Sequence, residues 1–129
     1  MNEAHENSAV ARLFTTPAGI DLGPLDSVAD GDSRGVILTL AGARFQGFIV
    51  RKGQQVYGYV DRCPHTGLPL SEQLDAFLTP ERDLISCAWH GALFSISSGL
   101  CLGGPCAGRA LSKWPLEVKD GQIITGRLA

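Results

Sequence analysis

Cys63-Pro64-His65-Thr66-Gly67 and Cys87-Ala88-Trp89-His90-Gly91 are the two stretches on which the reading of this chain turns. Each offers one thiol and one imidazole, spaced Cys-x-His in the first and Cys-x-x-His in the second. A cysteine and a histidine so close in sequence cannot spread far apart, so each stretch is a two-pronged claw. Residues 66–86 separate His65 from Cys87. Together they offer two soft sulfur ligands and two nitrogen ligands, a set that suits either one tetrahedral zinc or a two-iron cluster.

Spacing and flanking residues bear on that choice. Structural zinc sites usually pair like with like, two cysteines followed by two histidines. Here each claw is mixed, and the one-residue gap between Cys63 and His65 is tight for two ligands of a single tetrahedral ion. In a [2Fe–2S] cluster with two cysteines on one iron and two histidines on the other, each claw can straddle the cluster. Pro64, Gly67 and Gly91 suit loops that turn sharply and press close to a neighbour. With Pro-His in the first claw and Trp-His-Gly in the second, the sequence resembles the Rieske iron–sulfur family, and most closely the Rieske-type ferredoxins of oxygenase systems. The resemblance implies a [2Fe–2S] cluster, one per chain, with Cys63, His65, Cys87 and His90 as its ligands.

Formal charge shows what the histidines accomplish. Two ferric ions, two sulfides and two thiolates sum to zero, and one electron takes the site to −1; four thiolates would make the same step −2 to −3. Adding an electron to a neutral centre costs less Coulomb energy, in line with the higher potentials of Rieske centres over four-cysteine ferredoxins. High-potential members of the family carry a disulfide between the claw loops, a serine just after His-Gly and a tyrosine two residues further on. The corresponding places here hold Leu68, Trp89, Ala92 and Phe94. None supplies a thiol or hydroxyl to stabilise the added charge, so the expected potential is at the low end, on the order of −150 mV.

The rest of the chain reads as one all-β domain. Its 129 residues, 44% hydrophobic and 19% charged, are enough for a single core. A net charge of −2 with no basic run argues against nucleic acid. No apolar stretch approaches a membrane span, and the first residues resemble no export signal. The expectation is a soluble, cytoplasmic monomer with its four cysteines reduced or metal-bound. Residues 1–12 read as a flexible polar leader and 13–129 as the single domain. Val36–Leu40 reads as a buried strand. Residues 47–51 and 55–60 form a hairpin about 52–54 that runs straight into the first claw. Residues 72–78 fit a short helix or an irregular loop. Leu84–Ser86 is a strand delivering Cys87, and 116–118 with 122–125 close a hairpin at Asp120-Gly121. The expected architecture is a stack of small antiparallel sheets with a cluster-binding subdomain, about 62–106, inserted into it; the resemblance adds the three-sheet Rieske fold.

Further residues have two readings each. Cys101 and Cys106 bracket a turn compatible with a bridge, but a reducing compartment favours buried thiols. Gly104-Pro105 resembles the family's proline loop, which shields the cluster. Trp89 is either a core filler or part of an apolar docking rim with Pro64, Leu68 and Pro69. Trp114 reads as packing and His5 as a solvated histidine.

The functional expectation is a one-electron carrier between a flavoprotein reductase and a terminal oxygenase. The alternatives are a Rieske subunit fixed in a larger complex, of nitrite reductase or arsenite oxidase type, and a structural zinc module. A complete oxygenase is excluded by inventory: a mononuclear iron needs two further histidines, and only His5 is left of three. There is no nucleotide-binding fingerprint either, so the chain is read as an electron-transfer protein and not an enzyme.

Overall fold

The computed structural model describes residues 12–64, 70, 77–87, 91–104, 106 and 108–126. Residues 1–11 of the leader, 72–76 of the stretch read as helix or loop, Leu68, Pro69 and Trp89 lie outside them, as do His65, His90 and Pro105.

Among the described residues ten strands fall into three sheets, and the expected all-β stack of small sheets is what forms. The largest sheet is organised by β4 (Ala43–Lys52), which pairs antiparallel with β3 (Ser33–Leu40) along its whole length. The later half of β4 also pairs with β5 (Gln55–Val60), while Arg44 and Phe45 take β1 (Arg12–Leu13) in parallel. The β4–β5 hairpin turns at Gly53-Gln54, where Gly53 has a φ of 64° that an L side chain resists. The β3–β4 turn, at Ala41-Gly42, places both residues at positive φ, 50° and 80°. Two such residues make the kind of turn whose twist matches an antiparallel pair.

The second sheet has β10 (Gln122–Thr125) between β2 (Asp21–Pro24) and β9 (Leu116–Lys119), with the expected Asp120-Gly121 turn closing β9–β10. The third is β6 (Leu84–Ser86), β7 (Leu93–Ser95) and β8 (Cys101–Gly103) in chain order, within the segment expected to hold the cluster.

Two expectations are corrected. The Val36–Leu40 segment is not buried throughout: Val36 faces inward while Ile37 is 47% exposed. From Val36 to Leu40 the side chains of β3 alternate between a more buried and a more exposed face, as in an antiparallel sheet with one face toward the core and the other toward solvent. Cys101 and Cys106 are not thiols here but joined in a disulfide, their Cα atoms 6.0 Å apart. The tight loop between them brings them within bridging range, whereas the compartment argument says nothing of geometry.

Two clusters form the core. Phe45, Ile49, Val60, Trp114 and Ile123 lie in one, with Trp114 packed on Phe45 at 4.6 Å and donating its indole N–H to Thr16 Oγ1 at 2.8 Å. Trp114 is thus a packing residue, as expected, with its one polar atom satisfied. The other cluster reaches from the large sheet into the third: Phe48 stacks on Phe77 at 4.2 Å, and the Tyr59 hydroxyl donates to the carbonyl of Ile96.

Burial, and then the nearby Tyr57, push the Tyr59 phenol up to about 12. An unfolded tyrosine gives up its proton near pH 10, at about its reference value. The folded state therefore holds a proton the unfolded state loses, and this group's contribution is full below pH 10 and disappears as pH rises to about 12. Tyr59→Phe should flatten that alkaline limb in urea titrations between those values. Superimposable limbs for the two proteins would show that the hydroxyl plays no such part.

Candidate metal centre

The first claw begins where β5 ends. Val60 closes the strand, Asp61 and Arg62 follow, and Cys63 is 1% exposed. Asp61 is itself buried, which is unusual for a carboxylate and calls for partners. Its Oδ1 accepts the backbone N–H of Leu70 at 2.8 Å and its Oδ2 accepts the amide of Gln46 at 3.0 Å. Residues 61 and 70 are thereby pinned together, with the first claw between them. Burial raises the Asp61 pKa, and the two hydrogen bonds, with the charge of Arg12, pull it back.

Asp61→Ala would leave the buried Leu70 N–H without its acceptor, a loss of roughly 1–3 kcal/mol. Chemical denaturation should show it as a lower midpoint, with Asp61→Asn, which keeps one acceptor oxygen, falling less. Equal midpoints for wild type and Asp61→Ala would remove the carboxylate from this role.

The second claw hangs on the third sheet. β6 delivers Cys87, 2% exposed, and β7 leaves two residues after Gly91. Cys87 N–H donates to Ala92 O at 2.9 Å and Gly91 N–H donates to Cys87 O at 3.1 Å, tying the two ends of the claw together. Gly91 has a φ of 68°, the left-handed conformation that closes such turns at least cost.

A third loop leaves β8 and leans on the second claw. Gly104 has a φ of 94°, and a Cβ there would meet the Cα of Ala92 at 2.9 Å. Only glycine lets the two backbones approach so closely. This contact suits the shielding role expected of Gly104-Pro105, of which Gly104 is the described half. Arg109 stands at the far end of the loop and donates to Pro64 O in the first claw at 3.0 Å.

Cys63 and Cys87 belong to one buried cluster that also contains Leu70, Phe77, Ala92 and Phe94. Two thiols held in one apolar cluster at the bases of two claws fit a bound [2Fe–2S] group: the sulfurs are shielded from water, and thiolate sulfur is the ligand such a cluster takes. Ala92 and Phe94, at the places where high-potential members carry hydroxyls, are both fully buried. His65 and His90 lie outside the described residues.

Comparison with known proteins bears directly on this arrangement. The Rieske [2Fe–2S] domain family matches residues 22–119, a span that contains both claws and the strands from β3 to β9. The chain belongs to the Rieske [2Fe–2S] domain family. It carries a cluster of the Rieske type. Ferredoxin CarAc of Metapseudomonas resinovorans is 33% identical to it over 75 residues, 58% of this chain and 64% of that protein's length. Among solved structures, the complex of reduced oxygenase and oxidized ferredoxin in carbazole 1,9a-dioxygenase contains a chain that superposes with a TM-score of 0.64 at 27% identity, over 82% of this chain and 90% of that one. The ferredoxin of carbazole 1,9a-dioxygenase from Nocardioides aromaticivorans IC177 superposes with the same score at 20% identity, over 84% and 97%, and shares the fold.

Sequence reasoning missed Asp61, Gln46 and Arg109. A carboxylate two residues before an expected ligand and an arginine in a glycine-rich loop carry no mark of such roles in the sequence. Their roles come from contacts 9, 15 and 45 residues away, for which no local signal exists.

Proposed function

We propose that Cys63, His65, Cys87 and His90 hold the Rieske cluster, and that the chain passes single electrons from a flavoprotein reductase to a terminal oxygenase. The observation that carries this reading is the pair of buried cysteines at the bases of two claws within one apolar cluster, in a fold shared with ferredoxins of carbazole dioxygenase. When bound, the cluster supplies a one-electron couple. The chain contributes the rest: β5 and β6 fix the thiols, Asp61 ties off the first claw, and Gly104 brings the third loop against the second. Buried Ala92 and Phe94 give no hydroxyl to a reduced site and keep the potential low.

Among the described residues no helix is long and apolar enough to cross a membrane. The reading places the chain in the cytoplasm as a monomer that docks briefly with each partner, through an interface of small area. The residue boundaries are those read from the sequence, a leader over 1–12 and a domain over 13–129 with the cluster carried by about 62–106.

Absorption and EPR spectra of anaerobically purified protein, before and after dithionite, test the reading together with iron and acid-labile sulfide analysis. Two irons, two sulfides and a rhombic signal after reduction are expected for such a cluster. One zinc without sulfide would end the carrier proposal. Gel filtration with a tagged copy separates a carrier from a fixed subunit: a stoichiometric large partner that survives the column speaks for the latter.

A further inference from the structure

We infer that Arg109 is a positioning residue for the cluster, tying the third loop to the first claw and setting a fixed positive charge at the claw's lip; this rests on the carrier reading above. Its backbone is held at both faces. Arg109 N–H donates to Cys106 O at 2.9 Å, and Arg109 O accepts from Cys101 N–H at 2.8 Å. The two cysteines so contacted are the pair joined by the disulfide, so Arg109 is anchored on a cross-linked loop. From that anchor its side chain crosses to donate from Nη1 to Pro64 O, 45 residues away in sequence.

The target of that bond matters. Pro64 stands between the two expected ligands of the first claw, and its carbonyl belongs to the peptide leading into residue 65. A peptide unit is planar, so it cannot turn without moving its oxygen. Holding that oxygen limits rotation of the backbone between Cys63 and the next ligand. A guanidinium suits the task because it presents several donors in a rigid fork.

The same group acts on the electron. Reduction takes the ligated site from neutral to −1, and a nearby positive charge favours the reduced form. Arg109 is exposed, so the effect is screened by solvent and salt. For scale, a unit charge placed about 6 Å from the added electron in water-like surroundings would displace the electron-exchange equilibrium roughly threefold.

The experiment compares wild type, Arg109→Gln, Arg109→Lys and Lys119→Gln. Lys119 lies in the β2–β10–β9 sheet and serves as a control for net charge alone. Potentials come from protein-film voltammetry, and the rate of cluster loss to an iron chelator is read by absorbance. Arg109→Gln should displace the equilibrium toward the oxidised form roughly threefold and lose its cluster faster. Arg109→Lys should restore the potential, while Lys119→Gln should leave both readouts at wild type. A wild-type potential in Arg109→Gln, or a shift no larger than that of Lys119→Gln, overturns the inference. If Arg109→Gln accumulates without cluster, Arg109→Lys decides: a cluster-bearing lysine variant at wild-type potential supports the inference, and its loss of cluster or a shifted potential overturns the charge role. A wild-type protein without a reducible [2Fe–2S] signal sinks the carrier reading itself, an outcome distinct from both.

Discussion

Replacing His90 by cysteine is expected to lower the reduction potential from on the order of −150 mV toward about −400 mV, the value of plant-type ferredoxins, or to empty the site. The argument is one of charge. A neutral imidazole gives way to an anionic thiolate, so the oxidised site starts at −1 and the electron is added against that charge. The buried residues around the second claw make the penalty larger than it would be in water, since Ala92 and Phe94 give no dipole to offset it. His65→Cys should act in the same direction. Voltammetry and the EPR spectrum of the reduced protein are the measurements. An unchanged potential with an unchanged spectrum would show that the histidine in question is not a ligand.

The second large effect is expected from the cysteines. Cys63→Ala or Cys87→Ala should abolish acid-labile sulfide and the reduced EPR signal altogether, because under the proposed ligation each would remove one of the two thiolates expected on the same iron. Stability should fall as well. Cys63 and Cys87 sit inside the cluster that includes Leu70, Phe77 and Ile85, so metal binding there is also binding energy for the fold. Thermal unfolding of the holoprotein should therefore occur well above that of either variant. Full iron and sulfide content in either variant would remove that cysteine from the ligand set.

The parts of the fold that were legible in the sequence are those with a short-range cause. Asp120-Gly121 and Gly53-Gln54 announce their hairpins because glycine at positive φ is what such turns require. Ala41-Gly42 escapes notice because alanine seldom adopts a φ of 50°, although this turn closes the longest pairing in the molecule. The parallel pairing of Arg12-Leu13 with Arg44-Phe45 has no local signature either, since its register is set by the packing beneath it. Ile37 looked buried because apolar content alone does not say which faces of a strand are covered. At the metal centre, the ligand spacing stands in the sequence as written. The supports around it do not, because Asp61, Gln46, Arg109 and the Cys101–Cys106 bridge acquire meaning only from residues the fold brings alongside.

The distribution of strand lengths implies a sequence of maturation. β3, β4 and β5 follow one another through two-residue turns and can pair as the chain emerges, whereas β6, β7 and β8 have only three residues each. Hydrogen exchange on apoprotein should accordingly find amides such as those of Ile49 and Val50 protected while those of Ile85 and Phe94 trade with solvent, the latter slowing once iron and sulfide are delivered. The chain would then leave the ribosome with its scaffold ready and its claws waiting for iron and sulfide.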